Sequence, residues 1–224
     1  MIGNAGSLVL AGGNAVTVVL TRLLLVLATH VDTVQRRIHH EIDNFTNGER
    51  RPTWKDRHSM PYTLATIWEV HRWSPFLALG SPRRAYNDFI IGEYFIPKGA
   101  TIVANIWGVH NDPSYWSEPE KFEPSRFLNK DGSVAWEKVD RVISFSVGKR
   151  MCPAEIFASV EIYTYLTRLM QKFLILPEEG AVFDPNVHPA LLMQPKRHMF
   201  RCIPRACRPA RHRQWPPTAL SSHA

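Results

Sequence analysis

The stretch that decides how this chain is interpreted is FSVGKRMCPAE, residues Phe145 to Glu155. It places Cys152 between a loop with glycine and basic residues and the predicted start of a helix. Gly148 permits a backbone conformation that other residues avoid. Lys149 and Arg150 put positive charge near the sulfur, and both a helix N-terminus and nearby cations favour a thiolate over a thiol. Taken alone, the stretch leaves Cys152 open as a buried apolar side chain, a nucleophile or a metal ligand.

The composition is that of a globular protein. The chain has 224 residues, of which 45% are hydrophobic and 21% charged, so disorder is not its overall state. Three cysteines do not make a disulfide framework, which favours a reducing compartment. Cys202 and Cys207, with His198 and His212 nearby, make a zinc site conceivable, but the spacing matches no common zinc pattern and we favour no zinc.

The positive charge is concentrated near the C-terminus. The net charge is +7, and residues 196–213 contain no acidic side chain. Their basic residues are Lys196, Arg197, Arg201, Arg205, Arg208, Arg211 and Arg213. Such a segment can contact an anionic membrane or nucleic acid. We favour a solvated tail with no nucleic-acid partner, and divide the chain into a domain of residues 1–204 and a disordered basic tail of residues 205–224.

The first predicted helix is strongly apolar. Residues 1–29 carry a single charged side chain, Arg22, so a membrane span is one interpretation. Gly12, Gly13 and Asn14 interrupt the apolar run, and no basic region precedes it as in a signal peptide. We therefore favour a helix buried in a core, running from about residue 8 to residue 27.

The rest of the chain predicts a mainly α structure with a minor β part. Apolar residues spaced by four predict a second helix over residues 32–45, and a third helix is expected to be capped by Ser59 and to end at Pro75. Residues 89–105 contain three β-like runs, which indicate a small meander or hairpin. An irregular connection over residues 111–141 precedes the helix predicted from Ala154 to Phe173.

Two further patterns carry charge. Glu69 and Arg72 are three residues apart and share a helix face. Taken alone, they are typical of a surface ion pair, which contributes little to stability. Arg126 lies in FEPSRF, and its guanidinium can bind a carboxylate through two donors and attach this segment to a helix.

In chain order, these patterns resemble the cytochrome P450 family of haem-thiolate monooxygenases. They read Glu-x-x-Arg, Pro-x-Arg-Phe and Phe-x-x-Gly-x-Arg-x-Cys, and the run IPKGATIVANIWGVHNDPSYWSEPEKFEPSRFL is similar to the microsomal branch. The resemblance covers about residues 1–204. It implies the C-terminal portion of that fold, with the distal helix, the K-type and L-type helices, a small β-sheet and the cysteine ligand loop.

The resemblance implies roles around a haem b group. Cys152 would be the axial thiolate ligand of the iron. Phe145 would shield the sulfur, and Gly148 belongs to the same loop. Arg150 would pair with a haem propionate, and Arg83, where many relatives have histidine, would contact another.

The resemblance also implies roles away from the iron. Glu69, Arg72 and Arg126 would form a buried ion triad with a structural role. Residues 76–79 and 190–192 would line the pocket for a small apolar organic substrate.

The family's partners follow from the same resemblance. NADPH-cytochrome P450 reductase would supply electrons, with Lys149 among the cations that dock it. Relatives are roughly twice as long, so we expect the chain to be the C-terminal half of such a protein, without its membrane anchor. The intact protein would lie on the cytosolic face of the endoplasmic reticulum membrane.

The sequence departs from the family pattern at the distal helix. Relatives usually carry Ala-Gly-x-Asp/Glu-Thr, whereas here, aligned on Ala11-Gly12, Asn14 replaces the acid and Ala15 the threonine. A register shifted by one residue puts Ala15 and Val16 in these places instead. Thr17 is the nearest hydroxyl and misses the position. Asparagine can orient a water but cannot ionise. Ala154 is a second departure, where relatives usually have glycine.

These departures keep three hypotheses open. The favoured one is a monooxygenase that inserts one oxygen atom of dioxygen into its substrate. The second is a haem-binding or isomerase-like relative without oxygen activation, and the third is a catalytically inactive truncated product.

Overall fold

The structure is a computed structural model that describes residues 2–180, 195 and 198–205. The α-helices are α1 (Ile2–Thr29), α2 (Arg36–Thr46), α3 (Pro61–Trp73), α4 (Ile106–His110), α5 (Trp136–Val139) and α6 (Glu155–Lys172). The strands are β1 (Arg83–Arg84), β2 (Phe89–Ile91), β3 (Tyr94–Ile96), β4 (Thr101–Ile102), β5 (Phe173–Pro177) and β6 (Phe200–Pro204). Short 3₁₀ helices cover Trp54–Ser59, Pro124–Phe127 and Gly148–Arg150, and a short π-helix covers Val31–Gln35. The predicted mainly α class with a minor β part is confirmed.

Helix α1 packs one face into the core. Val16, Val19, Leu23, Val26 and Leu27 are buried, and their spacing of three and four residues puts them on one side of the helix. The stretch Ala11–Thr29 is long and apolar enough to cross a membrane by length and composition, and half of it is buried in the structure. The structure therefore supports the core-helix interpretation for the C-terminal part of α1.

Helix α3 lies at the centre of the core, and its start differs from the prediction. Ser59 ends the preceding 3₁₀ helix, and the residue before α3 is Met60, whose side chain makes no capping bond. The free N–H groups of Tyr62 and Thr63 instead donate to the Glu41 carboxylate of α2, both at 2.8 Å. Sequence reasoning looks for a local cap, and this acceptor comes from another helix.

The small strands form three antiparallel pairs. Strands β2 and β3 make the predicted hairpin. The third β-like run, β4, pairs with β1 rather than with β3, so the meander alternative is wrong. Strands β5 and β6 pair over five residues each and follow the end of α6.

One buried amide attaches β5 to the helical core. Gln35 is fully buried, and its Nε2 donates to the carbonyls of Leu27 and Ile175, both at 2.8 Å. Its Oε1 accepts from the N–H of Ile175 at 2.7 Å. The side chain thus satisfies three backbone groups that have no water in reach.

We predict that Gln35→Leu lowers the free energy of unfolding by roughly 2–4 kcal/mol, because these three groups lose their partner inside the core. Urea denaturation of the full chain measures the loss. His40→Leu, at an exposed position of α2, serves as the control, with a change of at most about 0.5 kcal/mol. Equal small changes in both variants would show that the amide bonds add nothing to stability.

Candidate functional site

The site is built around a buried carboxylate. Glu69 and Arg72 lie one turn apart on α3, and both side chains are fully buried. Arg72 donates to both Glu69 oxygens, from Nε at 2.8 Å and from Nη2 at 2.9 Å. Arg126 Nε donates to Glu69 at 3.1 Å, and the N–H of Glu123 does so at 2.9 Å. The surface ion pair that Glu69 and Arg72 suggest when taken alone is therefore wrong.

The two guanidinium groups use their remaining donors on the irregular segment. The acceptors of Arg72 are the carbonyls of His110, Pro119 and Lys121, at 2.8, 2.9 and 3.2 Å. The acceptors of Arg126 are the carbonyls of Ser117, Glu118 and Lys121, at 2.8, 3.2 and 3.1 Å. The network fixes the segment after α4 to α3, and it satisfies the donors that burial removes from water.

The cysteine loop is closed on itself. The N–H of Cys152 donates to the carbonyl of Phe145 at 2.8 Å. Two residues inside the loop, Ser146 and Gly148, have positive φ, 64° and 74°. Glycine adopts this conformation without strain, and a serine does so only where the surroundings impose it. Cys152 is partly exposed and lies three residues before α6.

Large apolar side chains are exposed on both sides of Cys152 in the sequence. Val147 and Met151 precede it, and Ile156 and Phe157 follow in the first turn of α6. Their exposed fractions are 66%, 45%, 76% and 71%. A partly exposed thiol flanked by uncovered apolar surface fits a flat, largely apolar group that is ligated through sulfur. The loop residues therefore fit a haem group.

The two arginines expected near the haem propionates are close to each other. Arg83 lies in β1, and its Nη2 donates to the backbone carbonyl of Arg150 at 3.1 Å. Arg150 and Lys149 are exposed in the 3₁₀ helix of the loop. The structure thus brings Arg83 to the cysteine loop, and the contact of either guanidinium with a propionate remains a prediction.

The distal-helix residues occupy an open face of α1. Asn14 and Thr17 are exposed and Ala15 is half-buried. The Thr17 hydroxyl donates to the carbonyl of Gly13 at 2.6 Å, so its proton is engaged within the helix. An added Cβ at Gly13 would meet no atom within 4 Å among the described residues.

Other expected site residues divide between those that the structure describes and those that it does not. Ala78 is buried, Phe76 and Leu77 are half-buried and Leu79 is exposed, while residues 190–192 lie outside the described residues. Within the described part of the chain, no group of three or more His, Cys, Asp or Glu side chains could hold a metal ion. Cys207 and His212 of the conceivable zinc site, and residues 206–224 of the predicted tail, also lie outside that part.

Sequence reasoning missed two buried histidines next to the cysteine loop. The ring of His71 lies 5.1 Å from that of Phe145, and the Ser144 hydroxyl donates to the His71 carbonyl at 2.7 Å. His110 Nε2 accepts from the N–H of Ile143 at 2.9 Å. Burial lowers the pKa of His71 to about 4 and that of His110 to about 3, the latter also because Arg72 is near. Their positions inside EVHR and GVHND offer no pattern that identifies them.

A comparison with family models matches residues 2–202 to cytochrome P450. Human cytochrome P450 2U1 is 38% identical over 176 residues, which cover 78% of this chain and 32% of the human protein. Rabbit (Oryctolagus cuniculus) cytochrome P450 2J1 is 34% identical, with 82% and 36% covered. Cytochrome P450 1A1 of the fish Limanda limanda is 34% identical, with 92% and 40% covered.

The chain belongs to the cytochrome P450 family, which confirms the family predicted from its motifs. It spans about a third to two-fifths of the length of these relatives. The mainly α architecture with small antiparallel sheets is a portion of that fold.

We predict that Arg72→Ala lowers the stability of the full chain by roughly 3–5 kcal/mol, because it leaves the Glu69 carboxylate buried with only part of its compensation. Urea denaturation measures the change. Arg36→Ala, which removes an exposed pair with Asp32, is the control and should cost at most about 1 kcal/mol. Similar small losses in both variants would contradict a stabilising role for the buried network.

We further predict that stability falls with acidification through the two histidines. The unfolded chain takes up a proton on each imidazole below its ordinary pKa of 6.5, whereas folded His71 and His110 stay neutral until about pH 4 and about pH 3. Their contribution is therefore fully present above pH 6.5 and is lost as the pH falls from 6.5 towards 4. Each site contributes a slope of about 1.4 kcal/mol per pH unit within that window.

Urea denaturation across this pH range tests the slope. His110→Gln removes one titrating site and should reduce the slope by about 1.4 kcal/mol per pH unit. A variant with the slope of the wild type would show that His110 does not titrate differently in the folded and unfolded states.

Proposed function

We propose that the whole protein is a haem-thiolate monooxygenase of the microsomal type. The observation that carries the proposal is the closed loop of residues 145–152, which presents a partly exposed Cys152 thiol directly before a long helix. The family membership supports it, because a cysteine thiolate is the ligand of haem iron in this family.

The proposed roles follow the placement of the side chains. Cys152 supplies the thiolate ligand of haem b, and Phe145, whose carbonyl closes the loop, shields the sulfur. Gly148 has positive φ and space around its Cα, so the backbone there can approach a flat group closely. Arg83 and Arg150 bind the propionates through their guanidinium groups. Glu69, Arg72 and Arg126 keep the surrounding segments in place and take no part in the chemistry.

The bound haem supplies dioxygen activation, and thiolate ligation favours cleavage of the O–O bond. The chain's own contribution at the distal face is limited. Asn14 can hold a water through its amide but cannot donate a carboxylic proton, and Ala15 has no polar group. Phe76 and Leu77 offer half-buried apolar surface for a small organic substrate.

The proposal includes the partners and location common to this type. NADPH-cytochrome P450 reductase delivers the electrons, and the exposed Lys149 on the cysteine loop suits the docking of an acidic partner. In this proposal, the whole protein lies on the cytosolic face of the endoplasmic reticulum membrane.

Replacement of Cys152 tests the ligand assignment. The whole protein is produced with haem supplied, and the reduced carbon monoxide difference spectrum is recorded for the wild type, Cys152→Ser and Cys202→Ser. We predict the thiolate-type band in the wild type and in Cys202→Ser, whose exposed cysteine lies in β6, and its complete loss in Cys152→Ser because serine provides no thiolate. A thiolate band in Cys152→Ser, or none in the wild type, would refute the assignment.

A second candidate function is haem binding without efficient oxygen activation. It is favoured by Asn14 and Ala15 in place of the usual acid and alcohol, and by the engagement of the Thr17 hydroxyl with Gly13. NADPH consumption and product formation in the presence of reductase separate the two candidates. Product formed in proportion to NADPH supports the monooxygenase, and a thiolate-type spectrum without product supports the second candidate.

A further inference from the structure

Three consecutive residues at the entrance to the cysteine loop contact two histidines. Ile143 donates its N–H to the ring of His110 at 2.9 Å, Ser144 donates its hydroxyl to the His71 carbonyl at 2.7 Å, and Phe145 packs against the His71 ring at 5.1 Å. The N–H of Ser146 then donates to the Ile143 carbonyl at 2.8 Å. The start of the loop is therefore fixed at successive backbone and side-chain positions.

His110 is bonded on two sides. Its carbonyl accepts from Arg72 Nη1 at 2.8 Å, and its ring accepts from Ile143. The residue is fully buried at the last position of α4. One residue thus connects the buried charge network of α3 to the start of the cysteine loop.

The bond to Ile143 fixes the state of the ring. Because Nε2 accepts a hydrogen bond from the amide, the proton of the neutral ring lies on Nδ1. Nδ1 is buried and has no hydrogen-bond partner among the residues that the structure describes. A buried donor without a partner is unfavourable. What this arrangement gains is the hydrogen bond that Nε2 accepts on the other side of the ring.

We propose that His110 is a positioning residue for Cys152, acting through the acceptor that its neutral ring offers to the Ile143 amide. Arg72 donates to the His110 carbonyl, and the His110 ring accepts from the Ile143 N–H. Two residues after Ile143, the carbonyl of Phe145 accepts from the Cys152 N–H. The inference rests on the proposed role of Cys152 as the haem ligand and extends it to a residue without contact to the sulfur.

Two amide substitutions distinguish the effect of losing the acceptor from the effect of losing the volume of the ring. In His110→Gln the side-chain oxygen lies as far along the chain as Nε2 and can accept from Ile143. In His110→Asn the oxygen is one carbon shorter and corresponds to Nδ1, so it does not reach. His110→Phe keeps a ring of similar shape without an acceptor.

Hydrogen–deuterium exchange of the full chain tests the link without haem. We expect His110→Asn and His110→Phe to raise the exchange of residues 143–152 by about tenfold, the effect of losing one such bond, while His110→Gln stays within about threefold of the wild type. Exchange in the interior of α6, around Tyr163 and Leu166, is the internal control and should be unchanged.

The reduced carbon monoxide difference spectrum of the haem-loaded whole protein adds a readout at the sulfur. His110→Asn and His110→Phe should lose most of the thiolate-type band and His110→Gln should retain it, whereas a ring that merely fills space would be replaced best by phenylalanine. Unchanged exchange in His110→Asn, or a His110→Gln variant that behaves like His110→Phe, would overturn the proposal.

Global unfolding is also informative. If His110→Asn and His110→Phe unfold but His110→Gln folds, the acceptor is required, and if His110→Gln unfolds as well, the proposal fails. A wild-type chain that shows no thiolate band refutes the role of Cys152, and the exchange comparison then still decides whether His110 holds the loop.

Discussion

The carboxylate of Glu69 is the constraint on which the rest of the described structure depends. A charge with no exposed surface must be compensated by its neighbours, and here the neighbours are two guanidinium groups and one backbone N–H. Arg72 comes from the same helix, whereas Arg126 and the N–H of Glu123 come from the short 3₁₀ helix Pro124–Phe127 and the residue before it. Neutralising the two carboxylate oxygens of Glu69 therefore fixes the position of this segment against α3.

The same helix organises its surroundings from both ends. At its start, the Glu41 carboxylate binds the free N–H groups of Tyr62 and Thr63, and burial raises the pKa of Glu41 above its usual value. At its end, the carbonyl of His71 accepts from Ser144. Helix α3 thus joins α2 to the cysteine loop through polar contacts, while its side chains fill the core between α1 and α6.

The sequence predicted the features that local patterns encode. The long apolar run of α1, the apolar spacing in α2 and the hairpin turn at Gly92 each depend on residues close together in the chain, as does each of the three motifs taken by itself. The acceptors that arrive from elsewhere were not predictable in this way. Glu41 replaces the expected Ser59 cap, β4 pairs with β1, and His110 binds an amide 33 positions away, because each of these depends on how the helices pack.

Buried histidine also escapes pattern reasoning for a physical reason. A neutral imidazole offers one donor and one acceptor, so it can complete a backbone hydrogen bond much as a carbonyl does. No spacing rule selects for it, since any segment that needs one acceptor at the right depth can use it. His71 and His110 flank the motif residues in sequence and look like ordinary polar positions until the packing around them is seen.

The two faces of the proposed haem site differ in how their polar groups are used. On the cysteine side, the backbone N–H groups of Ile143, Ser146 and Cys152 have partners, so the ligand is held by bonds that exist without haem. On the α1 side, the Thr17 hydroxyl is engaged with Gly13, Ala15 offers no polar group and the Asn14 amide is exposed. Of these three side chains, only the Asn14 amide is therefore free of a bond to the described residues of the helix and able to orient a water at this face. In the proposed site, ligation by Cys152 and proton delivery at the α1 face therefore depend on different groups, so a substitution at one face can leave the other unchanged.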